Sequence, residues 1–246
     1  MIGGGYIRRV GYRSKQIKAA PGAVILSPDT TISGRDRLRN AVLDVAALPI
    51  VAISRGSKPD IVGGPVPLHY GLKRWDWRTE RGLELALAER AASRHAASET
   101  LEVGNVLAFA GIKGHTIVDK YEAGSGVLNV DIMEYQSERR FSLVISISTI
   151  EHIGWDEEPR EPQKAAAALE VMARLGDSLL ITMPVGYHRE LEQSFIKGPF
   201  DSVVLAVKTS RIGRWTRHPV SDVNDIRYGS PYAYGNGVLV GTRGLV

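Results

Sequence analysis

Thr100-Leu101-Glu102-Val103-Gly104-Asn105 is the stretch from which the fold of this chain can be read. A short apolar run halted by a glycine reads as a strand and the turn that ends it. Six more such runs follow, at 116–118, 127–130, 143–147, 179–183, 203–207 and 238–240. Between the fourth and fifth lies a helix over 162–175, with Pro162 in its first turn, an alanine-rich body and Gly176 just past its end. A helix over 79–95, capped by Thr79, precedes them and presents Leu83, Ala86, Leu87, Arg90 and Ala91 as one stripe. Apolar runs alternating with helices predict an α/β fold, a doubly wound and mostly parallel sheet covered on both faces. Residues 119–127 are too few for a crossover helix, so a loop takes its place there.

Upstream, residues 1–22 are rich in glycine and arginine and read as a loosely ordered arm. A strand at 23–26, a helix over 34–48 and a strand at 50–53 make a small βαβ-like element, and 57–67, with three prolines, reads as a linker. This gives two parts, 1–70 and 71–246. Charge divides the same way. Residues 1–40 hold eight Lys/Arg against two Asp, a net +6, so the rest of a +4 chain carries −2. The basic arm suits nucleic acid, an anionic substrate or another subunit, with a solvated face as the plain alternative.

With no cysteine, disulfides, thiolate metal sites and cysteine nucleophiles are excluded. The six histidines are scattered singly, without metal-ligand spacing, so no metal is expected. The best apolar stretch, 45–53, is nine residues long and contains Pro49, far short of a bilayer span. Glycines and charge occupy the start where a signal peptide would be apolar, which makes the cytoplasm the expected location.

Ligands of open parallel sheets sit beyond the carboxyl ends of the strands. Those ends here carry Glu102, Gly104 and Asn105, then Asp119 and Lys120, then Asp131 and Ile132, then Ser148 through His152. Each suits an adenosine compound. Gly104 allows close backbone approach. Asp119, fifteen residues on, can accept from both ribose hydroxyls. Asp131 can accept from the adenine amine while Ile132 packs on the ring, and Glu102 suits an ammonium group. Phosphate-cradling patterns such as GxGxxG and GxxxxGK[ST] do not occur, so the ligand is expected to be cationic and free of phosphate.

Residues 100–105, 117–122, 129–132, 141–155 and 180–187 together resemble, in order and spacing, the successive motifs of class I S-adenosylmethionine-dependent methyltransferases. The resemblance covers about residues 79–246. It implies S-adenosylmethionine as cofactor, held by Glu102, Gly104, Asn105, Asp119, Lys120, Asp131, Ile132 and Ser148. It also implies a seven-stranded sheet whose last strand, 237–241, is inserted antiparallel. The chain departs from the family at Asn105 and Leu107, where further glycines are usual, and in the trimmed region after Asp119.

Methyl transfer needs alignment more than a nucleophilic side chain. A hydroxyl acceptor gains from a general base, and His152 is the best-placed candidate, with Glu151 orienting or pairing beside it. Trp155, Tyr187, His188 and Trp215 are candidates for an aromatic acceptor pocket, and Trp75 and Trp77 for a lid. The expected acceptor is a small or carbohydrate-like molecule. No motif for a flipped base is present, which disfavours nucleic acid as the acceptor. Rival readings are a nucleic-acid methyltransferase, a non-catalytic adenosine-binding module and a nicotinamide-dependent oxidoreductase. No membrane partner is expected, and self-association is left open.

Overall fold

The computed structural model describes residues 58–69, 79–122 and 124–245, together with Pro49. The expected strand at 23–26, helix over 34–48, strand at 50–53 and the tryptophans Trp75 and Trp77 lie outside the described residues. Among the described residues eight strands form one sheet: β1 (Thr100–Val103), β2 (Thr116–Val118), β3 (Val127–Leu128), β4 (Phe141–Ile147), β5 (Gly176–Pro184), β6 (Ser202–Lys208), β7 (Trp215–His218) and β8 (Gly237–Arg243). Their order across the sheet is β3-β2-β1-β4-β5-β8-β6-β7.

Strands β3, β2, β1, β4 and β5 pair in parallel, and β8 runs antiparallel between β5 and β6, as the sequence led us to expect. The strand count is corrected from seven to eight by β7, which pairs antiparallel with β6 at the sheet edge. Its residues, Trp-Thr-Arg-His, carry one buried side chain and so give no apolar run. Register places Glu102 beside Ile117 on one flank and Ile145 on the other, which brings the carboxyl ends of β1, β2 and β4 to one edge.

Helix α1 (Arg81–Ala92) covers one face; α2 (Lys164–Leu175) and α3 (Arg189–Ile196) belong with the other. Burial on α1 is wider than the expected stripe and takes in Glu84, Leu85 and Ala88. The reason is the segment 58–69. Its Ile61, Val66 and Leu68 enter the same core as α1, so α1 is enclosed between this segment and the sheet. Arg90 Nη1 donates to the carbonyls of Val62 and Gly64 at 3.1 and 2.9 Å. The proline-rich stretch read as a linker is therefore packed against the sheet domain in its described part. Gly176 closes α2 with φ −114°, not in the left-handed region; a Cβ there would lie 2.6 Å from Val144 Cγ2, so close packing on β4 selects the glycine.

A candidate ligand cleft at the carboxyl ends of the strands

A cleft of about 550 Å³ opens where β1, β2 and β4 end. Val103 and Gly104 close β1 into it, Val118 to Tyr121 follow from β2, Val130 to Ile132 from beyond β3, and Thr149, His152 and Ile153 from beyond β4; Asp156, Glu157 and Glu158 form its rim. Apolar valines and isoleucines make the walls, and carboxylates end them. Gly104 sits at φ +97°, open only to glycine at low cost.

The loop after β2 turns on Asp119. Its Oδ1 accepts from the backbone N–H groups of Tyr121 and Glu122, each at 2.9 Å, and the residue is buried at the cleft wall. Asp131 belongs to a four-charge cluster. Its Oδ2 accepts from Lys164 Nζ at 2.7 Å and lies 3.0 Å from Lys120 Nζ. Both ammonium groups also reach Glu157 Oε2, at 2.7 and 2.9 Å. Burial alone would raise the Asp131 and Glu157 carboxyls, but the lysine hydrogen bonds outweigh it and hold both below the usual range. Lys120 is held well above its usual value: the hydrogen bonds to Glu157 and Asp131 outweigh its partial burial.

His152 lies on the other side, on the 3₁₀ turn Ile150–His152. Its Nδ1 makes a close contact with Asp156 Oδ2, and its Nε2 is 3.5 Å from Glu151 Oε1. Tyr187, beyond β5, donates its hydroxyl to the same Asp156 Oδ2 at 2.8 Å and meets the imidazole edge-on at 4.9 Å. Glu151 is buried, its Oε2 has no hydrogen-bond partner, and burial pushes its carboxyl up to about 7 despite the neighbouring imidazole.

Of the residues nominated from sequence, Gly104, Asp119, Lys120, Asp131, Ile132 and His152 line the cleft. Glu102, Asn105 and Ser148 do not. Glu102 turns back into the protein: Oε1 accepts from the N–H groups of Val106 and Leu107, the latter at 2.8 Å, and Oε2 is 2.7 Å from His115 Nε2. The expected ammonium site is thus filled by the chain's own donors. Ser148 donates its hydroxyl to the fully buried Glu84, which also accepts from Thr182 at 2.8 Å. Asn105 Oδ1 is buried without a partner, away from the cleft lining.

Thr149, Ile153, Asp156, Glu157 and Glu158 line the cleft and were not singled out from sequence. Among the aromatic candidates, Tyr187 reaches His152, and Trp155 stacks on His188 at 4.3 Å beneath the Arg160 guanidinium at 4.2 Å. Trp215 is buried in the core on β7 and takes no part. Among the described residues no cluster of His, Asp and Glu is arranged to hold a metal ion, and no helix is long and apolar enough to cross a membrane.

No family model and no curated protein matches this chain. Solved structures similar to it include the N-methyltransferase NodS from Bradyrhizobium japonicum WM9 in complex with S-adenosyl-L-homocysteine, at 13% identity and TM-score 0.41 over 66% of this chain and 85% of that one. Another is magnesium protoporphyrin IX methyltransferase from Synechocystis PCC 6803 with bound S-adenosylmethionine, at 10% identity and TM-score 0.36 over 97% and 93%. A third is the sugar N-methyltransferase KedS8 from Streptoalloteichus sp ATCC 53650, at 13% identity and TM-score 0.34 over 65% and 85%. At these scores the reading of the chain rests on its own strand order and cleft.

Proposed function

We propose that the cleft binds S-adenosylmethionine and that the protein transfers its methyl group to a hydroxyl of a small or carbohydrate-like acceptor. The observation that carries this is the meeting of Gly104, Asp119 and His152 in one cleft at the carboxyl edge of a sheet ordered β3-β2-β1-β4-β5-β8-β6. The residues present fit the cofactor. Gly104 lets the ends of β1 and β4 close up through Thr149 at the cleft floor, the apolar walls suit an adenine, and carboxylates at the loop ends can accept from hydroxyl and amine groups.

When bound, S-adenosylmethionine supplies a methyl carbon on a sulfonium, already activated toward in-line displacement, with the sulfur keeping the electron pair as a thioether. Asp119 would hold the ribose hydroxyls, its Oδ1 already engaged by two backbone donors. Asp131, with four lone-pair sites and its lysine partners occupying Oδ2, keeps capacity on Oδ1 beside the Met133 N–H for the adenine amine. Ile132 would pack on the ring, and Lys120 fixes the acidic loop around it. His152 would take the proton of the acceptor hydroxyl as the oxygen–carbon bond forms.

Isothermal titration with S-adenosylmethionine, S-adenosylhomocysteine and NAD tests the cofactor. Incubation of the protein and labelled cofactor with a metabolite extract, read by mass spectrometry, then identifies the methylated product. Binding of both sulfur compounds and not NAD supports the reading; NAD alone overturns it.

A further inference from the structure

We infer that Asp156 and Tyr187 are positioning residues for His152: the Asp156 carboxylate fixes the imidazole as its Nδ1–H tautomer, so that Nε2 is the nitrogen that takes up a proton. This deepens the proposed role of His152 and rests on it.

The geometry leaves little choice of tautomer. A carboxylate only accepts, so the close contact of His152 Nδ1 with Asp156 Oδ2 requires the proton on Nδ1. The same oxygen takes the Tyr187 hydroxyl at 2.8 Å, so one carboxylate oxygen collects two donors from two different loops. Both residues border the cleft, but Asp156 is 5% exposed at its side chain whereas His152 is 38% exposed. The carboxylate is therefore an internal anchor and the imidazole is the part a substrate can meet. Tyr187 is itself wedged edge-on against Tyr228 at 5.5 Å, and burial together with the Asp156 charge keeps its phenol protonated, hence a permanent donor. A dyad of this kind holds ring orientation and stabilises the imidazolium formed when the acceptor's proton arrives.

Charged or titratable groups that face the ring include Asp156 and Glu151 on its own loop, the latter 3.5 Å from Nε2, and Tyr187 from beyond β5, with Tyr228 behind it. Glu84 and Arg81 of α1 act on Glu151 from below, with opposite signs. Glu151 stands on the Nε2 side and, once ionised, stabilises the imidazolium, while Asp156 on the Nδ1 side favours the proton on that nitrogen in the neutral ring.

Long-range ¹H–¹⁵N correlation spectra of the full chain read the tautomer directly, and His152→Gln identifies the His152 signal among the six histidines. Expected is a ring protonated at Nδ1 and bare at Nε2 at high pH. Asp156→Asn should move its titration midpoint to lower pH by about one unit, because the charge favouring the imidazolium is gone. Tyr187→Phe, a milder change, should keep the tautomer and move the midpoint the other way, since the carboxylate loses a competing donor. A wild-type ring protonated at Nε2, or midpoints unchanged in both variants, overturns the inference. S-adenosylhomocysteine titrated into the same samples reports on the methyltransferase reading separately, because neither measurement depends on the other.

Discussion

Gly104 and Thr149 are packed so closely that a Cβ on Gly104 would lie 2.3 Å from Thr149 Oγ1. The contact joins the ends of β1 and β4, the two strands that flank the cleft floor, and Thr149 is anchored there by donating its hydroxyl to the Ile147 carbonyl at 3.1 Å. The glycine is thus demanded twice, by its positive φ and by its neighbour. Gly104→Ala should cost roughly 2–5 kcal/mol in urea unfolding, from backbone strain plus overpacking. Adding Thr149→Ala removes the overlap and leaves the strain, so the double variant should be more stable than the sum of the singles implies. Strict additivity would mean that the two residues do not meet.

Glu102 makes a different demand. Its two oxygens serve the Val106 and Leu107 N–H groups and His115, all within the protein. Glu102→Ala leaves those donors unpaired in a buried place and should destabilise by about 3–5 kcal/mol. Affinity of the folded fraction for S-adenosylhomocysteine should stay within roughly threefold, about 0.7 kcal/mol. A stable variant that has lost the ligand would return Glu102 to the binding site.

The contrast between these residues shows what a sequence makes legible. Strands buried on both faces write themselves as apolar runs, so β1, β4 and β5 were readable, and so was the order in which acids end them. The edge strand β7 has one face of its four residues buried at Trp215 only, and leaves no such run. Glu102 and Asp119 look alike in sequence, as acids at strand ends. Only the 3₁₀ turn Leu107–Ala110, which draws the first carboxylate back onto its N–H groups, and the parallel register that brings His115 beside it, separate them. Asp156 and Tyr187 are 31 positions apart and meet because β4 and β5 are adjacent parallel strands whose carboxyl ends face the same way. An acid four residues past His152 was the available sign of that pairing.

The contribution of Glu151 to stability should fall as pH rises from about 5 to about 7, against an opposite contribution from His188, whose imidazole burial holds below its usual value. Burial raises the Glu151 carboxyl from 4.5 to about 7, so in that window the folded chain holds a proton that the unfolded chain has released. The loss from this group reaches up to about 3 kcal/mol, with Glu84 and Glu192, also raised by burial, adding in the same direction. Urea unfolding at pH 5.5 and pH 8 should show a shallower fall for Glu151→Gln than for wild type. Equal falls would place the titrating group elsewhere.

His152→Gln preserves size and hydrogen bonding but removes the titratable ring. Once the methylated product is identified, this variant should turn over roughly 10²–10⁴-fold more slowly with little change in cofactor affinity. A loss below tenfold would make the imidazole a structural group.

The ribose contact at Asp119 is where the reading of the cleft stands or falls. Because Oδ1 already holds the turn through the Tyr121 and Glu122 N–H groups, Asp119→Asn is the informative change: an amide oxygen can keep the turn while the charge and one acceptor are lost. Charge-assisted hydrogen bonds are worth about 1.5–3 kcal/mol each, so calorimetric titration of S-adenosylhomocysteine into this variant should show affinity reduced at least roughly tenfold against wild type, with unfolding nearly unchanged. Equal affinity in the two proteins, or wild-type protein that binds NAD and not S-adenosylhomocysteine, would contradict the assignment of the cleft.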